Sequence, residues 1–253
     1  MNLIGHLACA ERLPPDAGLG AILPDLLSLY DRGVRPLKLL AAGGGGVEAA
    51  SVRDGLRFHF HVDSHFHRSP LFRDGSRALR ERLVAASDTP GLKRFAVAHV
   101  LTELFLDHLL IVQDPARLAA FYGALESHTD GPLEALVAGH PGLDWDGFSA
   151  FLGRLVALRF ADEYLERAAL LDRTDRILAR LRQRRLEHRE REALLAALAE
   201  HAAQAQQQLG PFVNGMRTWD PRAAAETRPA PDTRPADRAA GTGVDSGGRA
   251  GLE

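Results

Sequence analysis

Apolar residues recur at helical spacing along almost the whole chain. Leu19, Ile22, Leu23, Leu26, Leu27 and Tyr30 follow an i, i+3, i+4, i+7 pattern, and Pro24 inside it marks a helix start or a kink. The pattern returns over Ser76–Val84. Over Leu92–Val112 apolar residues cover most of the surface, which predicts a helix buried nearly all round. Further helices are expected from Pro115 to Leu125 and from Phe148 to Leu158. Tyr164–Leu186 and Glu190–Leu209 are long, charged and rich in Ala and Leu, and read as an antiparallel helical hairpin. Gly43–Gly46 is an unbroken glycine run and predicts a loop. No Lys-Ser/Thr follows it, so it is not a phosphate-binding loop. Residues 128–146, rich in Gly, Pro, Asp and His, predict a loop region with at most a short helix. The segment RFHFHVDSHFHR stays open: its alternation permits a strand, its surroundings favour a helix. The expected fold is therefore all-α: one helical domain over 1–216, with long C-terminal helices and a tail over 217–253. Arg222–Glu253 holds few large apolar residues, so burial there cannot offset the ordering of the backbone, and disorder is expected.

Composition narrows the class. Of 253 residues, 45% are hydrophobic and 25% charged, enough to build a core without disulfides or structural metals. A net charge of −2 and 6% aromatic residues argue against a nucleic-acid partner. With the one cysteine, Cys9, no disulfide forms within the chain, and a reducing compartment fits. The opening MNLIGHLACAERLPPD lacks a basic residue before its short apolar stretch and is a poor signal peptide. With no membrane span expected, the expected location is cytoplasmic. Oligomeric state is not legible from the sequence.

The candidate chemistry lies in two clusters. Seven of the 11 histidines fall in the first 108 residues. Four of them, His59, His61, His65 and His67, surround Asp63. His59, Asp63 and His67 share one face whether the segment is helix or strand, and imidazole with carboxylate suits a borderline divalent metal. The second cluster is AHVLTELFLDHLLIV, where His99, Glu103 and Asp107 sit at i, i+4, i+8 and His108 follows. Two unpaired carboxylates in so apolar a helix would cost several kcal/mol. No Lys or Arg lies between Phe95 and Ala116, so a metal or the histidines must supply positive charge. Asp25 is a lone acid that reads equally as a helix cap beside Pro24, and His6 reads as an ordinary core histidine. Cys9 reads as a small apolar packer.

The order of these motifs resembles the acyl carrier protein phosphodiesterase family, a distant relative of HD-type metal hydrolases. MNLIGHL is similar to its Met-Asn-Phe-Leu-Ala-His-Leu start, and LGAILPDLL to its Gly-x-Leu-x-x-Asp segment. GLRFHFHVDSHFHRSPLF is similar to its Gly/His/Asp/Pro block at Gly55, His59, Asp63 and Pro70. ELFLDHLL is similar to its Asp-x-x-x-Asp-His helix, with Glu103 in place of the first Asp. The resemblance covers about the first 112 residues. It implies an α-helical hydrolase with a divalent cation, Mn2+ favoured, releasing 4′-phosphopantetheine from acyl carrier protein. Two departures touch the substrate: His61 stands for the family's Arg, removing a fixed phosphate clamp, and His67 for its second Asp. A second resemblance, through His6, Pro24-Asp25, His59-x-x-x-Asp63 and His99-x-x-x-Glu103, is to zinc-dependent phospholipase C and P1 nuclease, and implies Zn2+.

Both resemblances imply metal-assisted phosphoester hydrolysis. The expected metal ligands are Asp25, His59, Asp63, His99 and Asp107. Glu103, His67 and His108 are the expected catalytic groups. The His59/Asp63 and Glu103/Asp107 faces are expected to oppose each other with Asp25 close by. The opposing class is a non-catalytic helical protein with a structural polar or metal core.

Overall fold

The computed structural model describes residues 1–41, 46–47, 49–126, 131–137, 140 and 142–219. Among them there is no strand. The α-helices are α1 (Leu3–Cys9), α2 (Pro15–Tyr30), α3 (Pro36–Ala41), α4 (Ala50–Phe66), α5 (Pro70–Ala86) and α6 (Arg94–Gln113). They continue with α7 (Ala116–Glu126), α8 (Pro132–Val137), α9 (Trp145–Ala157), α10 (Arg167–Arg180) and α11 (His188–Met216). A 3-10 helix, Phe160–Leu165, precedes α10.

Local chemistry explains several boundaries. Proline enters α2 and α5 in the first turn, where its missing N–H is harmless. Ser69 caps α5 by accepting from the Phe72 amide at 3.3 Å, and Asp144 caps α9 by accepting from that of Gly147 at 3.0 Å. Glu187 and Glu190 form a capping box at the start of α11. The histidine-rich segment is helical, lying in the second half of α4. Its alternation arises because α4 is half-buried: Phe58, Val62 and Phe66 face the core at i, i+4, i+8.

The α6 helix is central, touching α1, α5, α7, α10, α11 and the 3-10 helix. It is 20 residues long and apolar enough to cross a membrane by length and composition, but 67% of that window is buried inside the protein. Its apolar character is that of a core helix. The closest pairing is α2 on α4. A Cβ built on Gly20 would collide with the carbonyl oxygen of Val52, and one on Gly55 with that of Ala17. Two glycines, one on each helix, therefore let the backbones meet.

The expected helix over Tyr164–Leu186 is divided instead. Glu166 is extended (φ −112°, ψ 121°), separating the 3-10 helix from α10. Arg182 takes a left-handed conformation (φ 55°) just after α10. Apolar spacing does not register a single residue leaving the helical basin. Nor do the last two helices form a simple hairpin: α10 packs chiefly on α6, and α11 on α5. The α2 helix begins at Pro15 and runs through Pro24. Of the segment expected to be a loop, α8 is described and is a single short helix. Of the glycine run, Gly46 alone is described and is left-handed (φ 54°). Of the expected tail, 217–219 are described: the Arg217 Nε–H donates to the Ala8 carbonyl at 3.1 Å, and Trp219 stacks on His61 at 4.2 Å. The expectation of disorder beyond them lies outside the described residues.

Candidate metal centre

Four helices bring polar side chains to one place. α1 supplies His6, α2 Asp25, α4 His59, Asp63 and, at its end, His67, and α6 His99 and Glu103. These residues divide into two trios, each offering three ligand atoms within 4.8 Å of one another.

The first trio is His6, Asp25 and His59. His6 Nδ1 stands 2.9 Å from Asp25 Oδ2. The His6 and His59 rings lie 4.0 Å apart. His59 Nδ1 is held 2.8 Å from the Ala21 carbonyl oxygen, which leaves Nε2 as the lone-pair nitrogen and aims it. His6 Nε2 is buried and has no hydrogen-bond partner. A buried polar nitrogen rarely stays unpaired, and this one stands beside Asp25 and His59. Burial pushes His6 down to about 3, with the Met1 ammonium acting in the same direction, and His59 down to about 4. Both imidazoles are therefore neutral, the form that binds metals. Burial raises Asp25 to about 7.

The second trio is His67, His99 and Glu103. His67 Nε2 and His99 Nε2 are 3.2 Å apart, and Glu103 Oε1 is 3.3 Å from the former and 3.2 Å from the latter. Asp63 adjoins it, with Oδ1 3.3 Å from His67 Nδ1. The Met1 ammonium lies 3.4 Å from Asp63 Oδ1 and 3.5 Å from Glu103 Oε1. Bonds to Asp63 and Glu103 raise His67 to about 9. Burial works against ionisation of Glu103, but Met1, His67 and His99 outweigh it and hold its carboxyl well below the usual range. For Asp63 the same contest is won by His67 and Met1.

Three predicted residues belong to neither trio: Asp63, expected as a ligand, which adjoins the second, and Asp107 and His108. Asp107 is fully buried, but its oxygens face away: Oδ1 accepts from the Gly5 amide at 2.8 Å and Oδ2 from that of Ile4 at 3.2 Å. It satisfies the free N–H groups at the start of α1, so α6 fixes α1 in place through it. Burial raises its pKa to about 8, against the two amide bonds. Asp107 was expected as a ligand; here each oxygen accepts from a backbone amide and it joins neither trio. His108, expected as a catalytic group, lies apart from both trios as well. Its Nδ1 lies 2.8 Å from the Tyr164 carbonyl oxygen, and the Arg167 Nε–H donates to its Nε2 at 3.4 Å. A residue adjacent to Asp107 on a helix points about 100° away, here toward the 3-10 helix. His6 was not among the expected ligands: on its own it reads as a core histidine, the two resemblances alone drew attention to it, and the fold sets it against Asp25 and His59. His61 and His65 stand apart, their rings 4.1 Å from each other beside Trp219.

Asp25 and Glu103, one from each trio, line a cleft of about 160 Å3 whose other walls include Asn2, Ser28, Arg32 and Arg180. A larger apolar hollow of about 460 Å3 runs beside Leu7, Leu13 and Ala120, and none of the trio residues lines it. No family model, no curated protein and no solved structure matches this chain.

Proposed function

We propose that the protein is a metal-dependent phosphodiester hydrolase whose metal is held by His6, Asp25 and His59. The observation that carries this reading is the buried, unpartnered His6 Nε2 inside a set of two neutral imidazoles and a carboxylate. Such donors suit a borderline divalent ion, manganese or zinc. When bound, the ion supplies a Lewis acid that polarises a phosphoryl oxygen and acidifies water. The chain's own residues supply the rest. Asp63, one turn after His59 on α4, pairs with His67 and the Met1 ammonium, which hold it ionised and make it a weak base, so its part is to orient His67 and not to take a proton from water. Arg32 and Arg180 are exposed guanidiniums on the cleft that Asp25 floors, which suits an anionic substrate. The Ala21 carbonyl fixes the His59 tautomer.

The test has two parts. Purified protein should retain about one equivalent of manganese or zinc that His59→Ala loses. It should also hydrolyse bis(p-nitrophenyl) phosphate with a rate that His59→Ala and Asp25→Asn reduce at least 100-fold, in line with the loss of a metal-held group. Release of 4′-phosphopantetheine from holo acyl carrier protein is the first natural substrate to assay. Hydrolysis of phospholipids or nucleic acid with zinc preferred would move the reading to the phospholipase C and nuclease class. Tight metal without hydrolysis of any phosphoester would make the trio a structural polar core, and this reading would be wrong.

A further inference from the structure

We propose that His67, His99 and Glu103 form a second metal site, separate from the buried trio and shaped for four-coordinate zinc with one position open to solvent. Zinc binds nitrogen and oxygen at about 2.0–2.1 Å in a tetrahedron, which sets any two ligand atoms about 3.3–3.4 Å apart. The three edges here are 3.2, 3.3 and 3.2 Å. This triangle is already one face of such a tetrahedron. An ion bound to all three atoms would sit just off its plane. Two imidazole nitrogens facing each other at 3.2 Å share at most one proton, and a divalent cation satisfies both lone pairs and the carboxylate together.

The surroundings fit the same role. His67 Nδ1 is 2.9 Å from the Asp63 carbonyl oxygen, so one N–H is held there and the ion would displace the proton on Nε2, the ligand atom. Phe72 packs edge-on against both rings, at 4.6 Å from His67 and 4.9 Å from His99, which holds them in register. His99 and Glu103 are one turn apart on α6, and His67 comes from the end of α4, so two packed elements close the set. The side chains are 30%, 31% and 19% exposed, leaving the fourth position to water. Three protein ligands with an open fourth are the pattern of catalytic rather than structural zinc. Glu103 and His67 are then ligands and not the catalytic groups that the sequence suggested.

The site does not depend on the buried trio, and the test separates the two. Metal-free protein is titrated with Zn2+ and with Co2+, in wild type and in His59→Ala, His99→Ala and Glu103→Gln. Two equivalents are expected in wild type. His99→Ala and Glu103→Gln should each lose one equivalent and keep the other, and His59→Ala should show the reverse loss. Cobalt remaining in His59→Ala should give the intense visible absorption of four-coordination, abolished by adding His99→Ala. The partly exposed positions of His99 and Glu103 make both variants compatible with folding, checked by circular dichroism. Zinc stoichiometry unchanged by His99→Ala and Glu103→Gln would overturn the site and leave a proton-bridged ion pair between His67 and the two carboxylates. Loss of all metal in His59→Ala would also overturn it, since the centre would be one and not two. Metal retained at His67 and His99 but absent from the buried trio would uphold this site while refuting the centre proposed above.

Discussion

Among the individual side chains, Asp107 separates a structural role from a metal-binding one. A carboxylate buried among leucines needs compensation, and the two amides of α1 provide it. Asp107→Asn keeps the shape but replaces one acceptor oxygen with an NH2 donor that faces an amide N–H. Loss of about 1–3 kcal/mol of stability is expected from denaturant unfolding, the cost of a buried donor left unpaired. Metal stoichiometry of the folded variant should equal that of the wild type. Loss of one equivalent without loss of stability would return Asp107 to the ligand set. Neighbouring residues on α6 thus do three different jobs: Glu103 meets His67 and His99, Asp107 anchors α1, and His108 bonds the 3-10 helix.

Between helices, the pairing of α2 with α4 sets the buried trio. Asp25 and His59 lie on these two helices, and His59 is fixed by the α2 carbonyl of Ala21. Gly20 and Gly55 sit where each helix meets the other's carbonyls closer than 3.0 Å to any added Cβ. Since the obstacle is backbone, no rotamer change relieves it, and the helices must separate. Gly20→Ala and Gly55→Ala are each expected to cost about 1–3 kcal/mol or more, the range for overpacking. They should also weaken metal binding at the buried trio more than at His67, His99 and Glu103, which rests on α4 and α6. Calorimetric zinc titration of the two variants checks this. Equal weakening at both sites would mean that α2–α4 spacing is not what holds the trio.

Across the whole molecule, Arg184 joins distant parts of the chain. Its Nη atoms donate to both Glu190 oxygens at 2.7 and 2.6 Å, and its Nε–H donates to the Pro90 carbonyl at 3.0 Å. The start of α11 is thereby tied to the segment before α6. Glu190 is fully buried and also accepts from the Glu187 amide at 2.8 Å. Burial opposes its ionisation, but Arg184 and that amide outweigh burial and lower its pKa. A carboxyl whose folded pKa lies below the unfolded value of about 4.3 stabilises the fold above that value. The contribution is lost as pH falls from there through the depressed folded pKa. Glu190→Ala should cost about 3 kcal/mol at pH 7, as for breaking one side of a buried pair. The difference from wild type should shrink below pH 4 in urea melts followed across pH. A pH-independent difference would assign the effect to packing.

The amino-acid sequence by itself determined the helical class, the buried character of the helix over residues 92–112, and the concentration of ligand-type residues around 59–67 and 99–108. These are readable because each depends on spacing within one element. It also showed His59 and Asp63 to share a face, since side chains one turn apart on a helix are neighbours wherever that helix lies. What lies on different helices was decided only by the tertiary structure. His6 carries no periodic signal of its own, and its partners are set only when α1 meets α2 and α4. Asp107 and Glu103 share a face by spacing, yet the first amides of α1 bond Asp107, whereas Glu103 meets the Met1 ammonium, His67 and His99. His67 pairs with His99 because α4 ends beside α6, a juxtaposition that no periodicity contains. Local patterning fixes direction around a helix axis, whereas the partner that a side chain meets depends on packing between axes.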